Sequence, residues 1–186
     1  MSAPRIETAR LLLREWRDED VEPWIALGAD ARVMEFFPGT YTRVEAAATA
    51  ARMRERLVER GYGWWILEVK DRAPFAGVIA LQDVPFDAHF TPALEVGWRL
   101  PVDLWGNGYA TEGARAALDF AFEQLGRTEV VAMTARLNRP SQRVMQRLGM
   151  TYSVADDFEN PRIAPGDRLR PHVLYRMQAP NRIGDR

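Results

Sequence analysis

The run EVGWRLPVDLWGNGYAT, residues 95–111, decides how this chain is read. An apolar strand, Leu94 to Leu100, stops at Pro101. A short loop follows, and a tight Gly106-Asn107-Gly108 turn opens a long amphipathic helix at Tyr109. Glycine lets a backbone approach a ligand closely, and the unspent N–H groups of a helix start attract anions. A strand, a glycine turn and a helix in this order make a place to hold phosphates.

Two common phosphate loops do not fit. A nucleoside-triphosphate loop needs Gly-x-x-x-x-Gly-Lys-Ser/Thr, and the sole lysine of the chain is Lys70. A dinucleotide loop needs Gly-x-Gly-x-x-Gly, and Thr111 stands where the third glycine belongs. That motif also wants an acidic residue closing the next strand, whereas Glu129 begins one.

A third loop fits. Residues 105–112, WGNGYATE, resemble the acetyl-CoA pyrophosphate loop of the GNAT acyltransferase superfamily, whose pattern is Gln/Arg-x-x-Gly-x-Gly/Ala. Gly108 and Ala110 match it, while Trp105 replaces the usual Gln or Arg, a departure similar to the RimJ/RimL-like branch. Three more stretches resemble that branch: TARLLLR at 8–14, NRPSQRVMQRLG at 138–149 and HVLYRM at 172–177. The resemblance implies a GNAT-like α/β fold, with a mixed, mostly antiparallel sheet, one parallel splayed strand pair and flanking helices. It implies one N-acetyltransferase domain over residues 1–186, its core at about 6–178. It further implies acetyl-CoA as co-substrate and direct acetyl transfer to a primary amine, either a protein N-terminus or a small molecule. Many relatives pair as homodimers.

Composition agrees with one ordinary globular domain. Hydrophobic residues make up 47 % of the chain, enough for a sizeable core at 186 residues. The lack of cysteine excludes disulfides, thiolate metal sites and a cysteine nucleophile, and no metal is expected. A formal net charge of −1 gives no field favouring nucleic acid. Without a long apolar run or a signal-peptide pattern, no membrane partner is expected and the cytoplasm is the default location.

Along the chain, strands are expected at Leu11–Trp16, Gly63–Lys70, Phe75–Asp83, Leu94–Leu100, Glu129–Arg136 and Val173–Met177. A short helix should follow Asp18-Glu19-Asp20, and Thr42 with Glu45 forms a capping box for a second that Gly61 ends. Its buried face should carry Ala46, Ala50, Met53 and Leu57. The helix from Tyr109 to Leu125 shows a stripe of Ala110, Ala114, Ala117, Ala121 and Leu125. Because it joins two strands, they should run parallel. Pro140 starts a helix that Gly149 closes, and residues 155–171 read as a mobile loop.

The resemblance assigns the pantetheine arm to the backbone of Trp98, Arg99 and Leu100. It gives the diphosphate to the loop of Trp105, Gly106, Asn107, Gly108, Tyr109, Ala110 and Thr111. It places Asn138 on pantetheine and Ser141 beside the thioester sulfur; both residue types also cap helices. Arg143 either meets a phosphate or is solvated. Glu95 is the candidate base, because a carboxylate inside an apolar strand has a pKa raised by burial. Its alternative is a salt bridge to a nearby arginine. Ser141 is the candidate acid for the leaving thiolate. His89 is a substitute base or an exposed loop residue, and His172 is structural. Phe36, Phe37, Trp64 and Trp65 are either acceptor-pocket walls or core. A catalytically silent acyl-CoA sensor is the competing reading of the whole domain.

Overall fold

A computed structural model of the chain describes residues 4–180. In chain order the elements are β1 (Ile6–Glu7), β2 (Leu11–Arg14), α1 (Val21–Ala29), α2 (Arg43–Arg60), β3 (Trp64–Val69), β4 (Val78–Asp83) and β5 (Leu94–Arg99). Then come α3 (Tyr109–Glu123), β6 (Glu129–Ala135), α4 (Arg139–Leu148), β7 (Thr151–Tyr152), β8 (Phe158–Glu159) and β9 (Pro171–Gln178). Nine strands form one sheet in the order β1-β2-β3-β4-β5-β6-β9-β7, with β8 also on β9. Every pairing is antiparallel except β5 with β6. This is the mixed α/β sheet expected from the sequence.

Local chemistry sets the helix ends. Thr42 accepts from the Glu45 N–H, the Glu45 carboxylate accepts from the Thr42 N–H at 2.8 Å, and Gly61 closes α2 at φ 73°. Ala46, Ala50 and Leu57 are buried, while Met53 only borders the core. The stripe of α3 lies differently from its expected position. Gly113, Ala114, Ala117, Leu118, Ala121 and Phe122 are buried, whereas Ala110 and Leu125 are half-buried. The cause is close approach: a Cβ on Gly113 would lie 2.9 Å from Cγ1 of Ile79, so α3 rests almost directly on β4.

Other boundaries differ for physical reasons. β4 begins at Val78 rather than Phe75 because Gly77 has φ 104°, and a Cβ there would run into the Arg99 carbonyl oxygen. The segment 155–171 is not a bare loop. It contributes β8, ties Asn160 to the Arg170 carbonyl at 2.9 Å, and buries Ile163 and Leu169 against Ala135. Two short strands, β1 and β7, carry too little sequence pattern to be foreseen.

The register assigns side chains to faces, since residues paired across antiparallel strands share a face. Trp64, Ala80 and Gly97 stand in one row, Ile66, Val78 and Arg99 in another, and Gln82 beside Glu95. This face meets α1, because the Arg99 guanidinium lies over the Trp24 ring. The opposite face carries Trp65, packed edge-on against Phe120 of α3. β4 and β5 share six residue pairs, but β5 and β6 share only Glu95 with Val131. Beyond that pair the two parallel strands diverge.

Candidate active site

The divergence of β5 from β6 opens toward the turn at 105–108. The turn is held by its own side chains: the Trp105 indole N–H donates to the Leu100 carbonyl at 2.8 Å, and the Asn107 amide donates to Leu104 and Trp105 carbonyls. Trp105 therefore anchors the loop to the end of β5. Gly106 and Gly108 have φ of 78° and 81°, which side-chain-bearing residues adopt only with strain. Gly108 is the N-cap of α3, and no side chain caps the helix there. The first N–H groups of α3, at Tyr109, Ala110 and Thr111, thus point outward unspent, at the positive end of the helix dipole.

A cavity of about 530 Å³ lies against this helix start, lined by Arg10, Gly106, Asn107, Gly108, Thr111, Glu112, Arg115 and Arg147. Three of these residues are arginines, and none was singled out in the sequence. Glu112, in the first turn of α3, would repel an anion if left bare. Instead its carboxylate accepts from the Arg10 Nε and the Thr8 hydroxyl, both at 2.6 Å, so the ion pair cancels it. Arg10 also donates to the Asn107 carbonyl at 3.1 Å and covers the Tyr109 ring. The TARLLLR stretch thereby supplies a brace for the loop, while its second arginine, Arg14, is buried against Asp20 and Glu68. Arg143 is exposed on α4. Tyr109 is buried, its hydroxyl accepting from Arg72, so only its N–H faces an incoming anion.

On the α1-facing side of the sheet, Glu95 sits where β5 and β6 part. The Gln82 amide donates to its carboxylate at 2.9 Å, and the Trp64 indole N–H donates to the Gln82 carbonyl oxygen at 3.0 Å. The indole fixes which end of the Gln82 amide faces Glu95. Burial pushes the Glu95 carboxyl up from 4.5 to about 7, against the lowering effects of Gln82 and of nearby Arg162. Its strand partner Val131 belongs to a small apolar cluster with Phe90 and Leu174, which supplies the dry surroundings. Among the described residues no arginine forms a direct ion pair with Glu95, and Arg162 acts only from a distance.

Across the gap, Asn138 caps α4. Its side-chain oxygen accepts from the Ser141 N–H, and its amide donates to Thr134 at 2.9 Å and to the Ser141 hydroxyl at 3.2 Å. The Asn138 amide is thus spent within the protein. Ser141 Oγ accepts that bond, which leaves its own proton free to be donated. Leu100 is likewise occupied, through its carbonyl bond to Trp105. Trp98 is half-buried on the α3 side.

The aromatic candidates separate by face. Trp64 is on the Glu95 side, and Trp65 is core. Phe36 packs against Ile163 and Leu169, and Phe37 stacks on Arg99 at 4.1 Å. The connection between α1 and α2 therefore roofs this side of the sheet together with the 160–170 segment. Arg99 itself is 6 % exposed, with Nε and Nη1 unpartnered. Burial pulls its pKa down, offset in part by neighbouring Tyr41. His89 is exposed, 3.5 Å from Asp156, and edge-on to Phe90. His172 is buried and neutral in role: its Nδ1–H donates to the Arg170 carbonyl and its Nε2 accepts from Asn160. Among the described residues, no group of three or more His, Cys, Asp or Glu is placed to hold a metal.

Comparison with known proteins places the chain in a family. A family model described as an acetyltransferase (GNAT) domain matches residues 10–151. The FsC-acetyl coenzyme A-N(2)-transacetylase of Aspergillus fumigatus is 33 % identical over 156 residues, covering 80 % of this chain. That match spans 66 % of the fungal protein, just under two thirds of its length. A GNAT-family acetyltransferase from Bacillus anthracis has a TM-score of 0.78 at 24 % identity, over 95 % of this chain and 99 % of that one. A structure of RimL, a ribosomal L7/L12 α-N-protein acetyltransferase in complex with coenzyme A, has a TM-score of 0.73 at 16 % identity, over 94 % and 98 %. These two structural likenesses are likenesses of fold.

Proposed function

This chain belongs to the GNAT acetyltransferase family, and from that premise we propose that it moves an acetyl group from acetyl-CoA to a primary amine by direct transfer. The observation that carries the reading is the single-pair β5–β6 junction opening onto an uncapped, arginine-lined helix start. The residues present suit the co-substrate. The N–H groups of residues 109–111, with Arg115 and Arg147 around them and Arg10 neutralising Glu112, suit a diphosphate. The unpaired backbone of β5 beyond Glu95 suits an extended amide-bearing arm, added as a strand would be. Acetyl-CoA supplies an activated carbonyl and a thiolate leaving group.

The protein supplies the proton handling. Glu95, with its pKa near 7, takes a proton from the acceptor ammonium, directly or through one water. The neutral amine then forms the N–C bond as the C–S bond breaks. Ser141, its oxygen held by Asn138, gives its proton to the departing sulfur, and the proton shed by the newly formed amide nitrogen restores the Ser141 hydroxyl through solvent. The roof of Phe36 and Phe37 excludes bulk water and borders the acceptor. A protein N-terminal amine and a small-molecule amine both fit this chemistry. A cytoplasmic location and a homodimer complete the proposal; among the described residues no helix is long and apolar enough to cross a membrane.

A melting experiment tests the cofactor assignment. Acetyl-CoA at 100 times its Kd should stabilise the protein by about 2.7 kcal/mol by mass action. NADH and ATP should not. Equal stabilisation by NADH overturns the reading, and a thiol-release assay against peptides, polyamines and amino acids then finds the acceptor.

A further inference from the structure

Among the described residues, the buried side-chain donors left without a partner are Nε and Nη1 of Arg99. A guanidinium does not shed its proton inside a protein, so burial leaves a cation there. Desolvating a cation is costly, and the rings of Phe37, Trp24 and Tyr41, at 4.1, 5.2 and 5.5 Å, recover part of that cost through their faces. Rings accept no conventional hydrogen bond, so the N–H groups of both nitrogens remain unspent.

The position of Arg99 gives those donors a use. It stands on the same face of β5 as Glu95, with Gly97 between them. Four residue steps along the strand separate the two Cα atoms by about 13 Å. The floor between them is bare: a Cβ on Gly97 would meet nothing nearer than the Ala80 Cβ, at 4.0 Å. A strand face with a carboxylate at one end and an unsatisfied guanidinium at the other matches a molecule of opposite polarity. An amine directed to Glu95 would bring a negative group to Arg99.

We propose that Arg99 anchors the acceptor, and that the acceptor amine carries a carboxylate on the same molecule. The proposal rests on the acetyltransferase reading of the site. Two sources share this chemistry: a free amino acid, and a protein N-terminus with an acidic side chain close behind the amine. The anchor is a specificity determinant and takes no part in bond making.

The test compares matched acceptors. One arm sets ω-amino acids of increasing chain length against alkylamines of the same length. The other sets short peptides carrying Glu behind the N-terminus against the same peptides carrying Gln. The wild-type enzyme should favour the carboxylated member of one arm by about 10- to 100-fold in kcat/KM, mostly through KM, as expected for a charge-assisted bond. The favoured arm identifies the source. Arg99→Gln should bring that ratio close to one, and Arg99→Lys should keep part of it. Because each ratio is taken within one protein, loss of fold or overall rate cancels.

A wild-type ratio near one in both arms overturns the proposal, as does a ratio that survives in Arg99→Gln. A merely structural arginine would lower the melting temperature and both rates alike. An arginine serving the cofactor would raise the KM for acetyl-CoA equally with every acceptor; either result also overturns it. Acetyl-CoA that neither stabilises nor turns over removes the acetyltransferase reading first. Acetyl-CoA that binds and acetylates plain alkylamines just as well removes the anchor alone.

Discussion

Replacing Glu95 with Gln should make the protein more stable above neutrality and nearly inert at once. The carboxyl titrates near 7 instead of 4.5 because it is enclosed where β5 and β6 part. Between those two values the unfolded chain has already released this proton and the folded chain still holds it. Folding takes up a proton in that window, so stability falls as pH climbs from 4.5 through 7 and levels off above. Moving the carboxyl from 4.5 to about 7 corresponds to about 3 kcal/mol, at roughly 1.4 kcal/mol per tenfold. Its partial exposure trims that toward about 2 kcal/mol. A glutamine carries no such proton. In urea unfolding, Glu95→Gln should therefore gain about 2–3 kcal/mol on the wild type between about pH 5 and pH 8. Over the same range the wild-type kcat/KM should rise through an apparent value near 7, and the variant should be slower by about 10² to 10⁴. The deficit should narrow at high pH, where more of the amine is already neutral. Parallel stability curves from pH 5 to 8 would refute the enclosed carboxyl. Full activity at neutral pH would refute Glu95 as base and point to His89 acting through water.

Three further perturbations probe its surroundings. Gln82→Leu removes the amide that favours the Glu95 carboxylate, so the acidic limb of the pH–rate profile should move up by about 1–2 pH units; an unmoved limb would show the contact idle. Ser141→Ala should slow turnover by about 10² or more without the narrowing at high pH seen for Glu95→Gln, and a deficit that does narrow would remove it as the acid. Gly108→Val forces a branched side chain into φ 81° beside Arg10 Nη2 and over the helix start. Calorimetry should show acetyl-CoA affinity falling tenfold or more, with stability reduced by about 1–3 kcal/mol; normal binding by the folded variant would place the diphosphate elsewhere.

The parts legible in the sequence are those whose causes are local. The Thr42–Glu45 box, the Gly61 and Gly149 stops and the Gly106–Gly108 turn each depend on a few adjacent residues, and all are observed. The parallel β5–β6 pair was legible because a helix links the strands. Other features depend on register or on distant partners. Gln82 meets Glu95 only through the pairing of β4 with β5, and Arg10 meets Glu112 across 102 positions. The facing of Trp64 against Trp65 is set by which side α3 covers. The order in 155–171 comes from Ile163 and Leu169 packing against Ala135 and Phe36, and a stretch rich in Pro and charge gives no periodic sign of that.

The lone Glu95–Val131 ladder pair also leaves a seam in the sheet. Strands β1 to β5 form one plate and β6, β9, β7 and β8 another, joined in the ladder at one residue pair while α3 and a common apolar core span both. A ligand arm laid into the gap would act as mortar, completing hydrogen bonds that neither plate makes to the other. It would fix the angle between the plates, and with it the span between Glu95 on one plate and Ser141 beyond the end of the other. Filling the seam from the cofactor side would then set the shape offered on the acceptor side, so binding should follow an order, cofactor before amine. Amide hydrogens along the β5 edge would report it, exchanging quickly in the empty protein and slowly once the seam is filled.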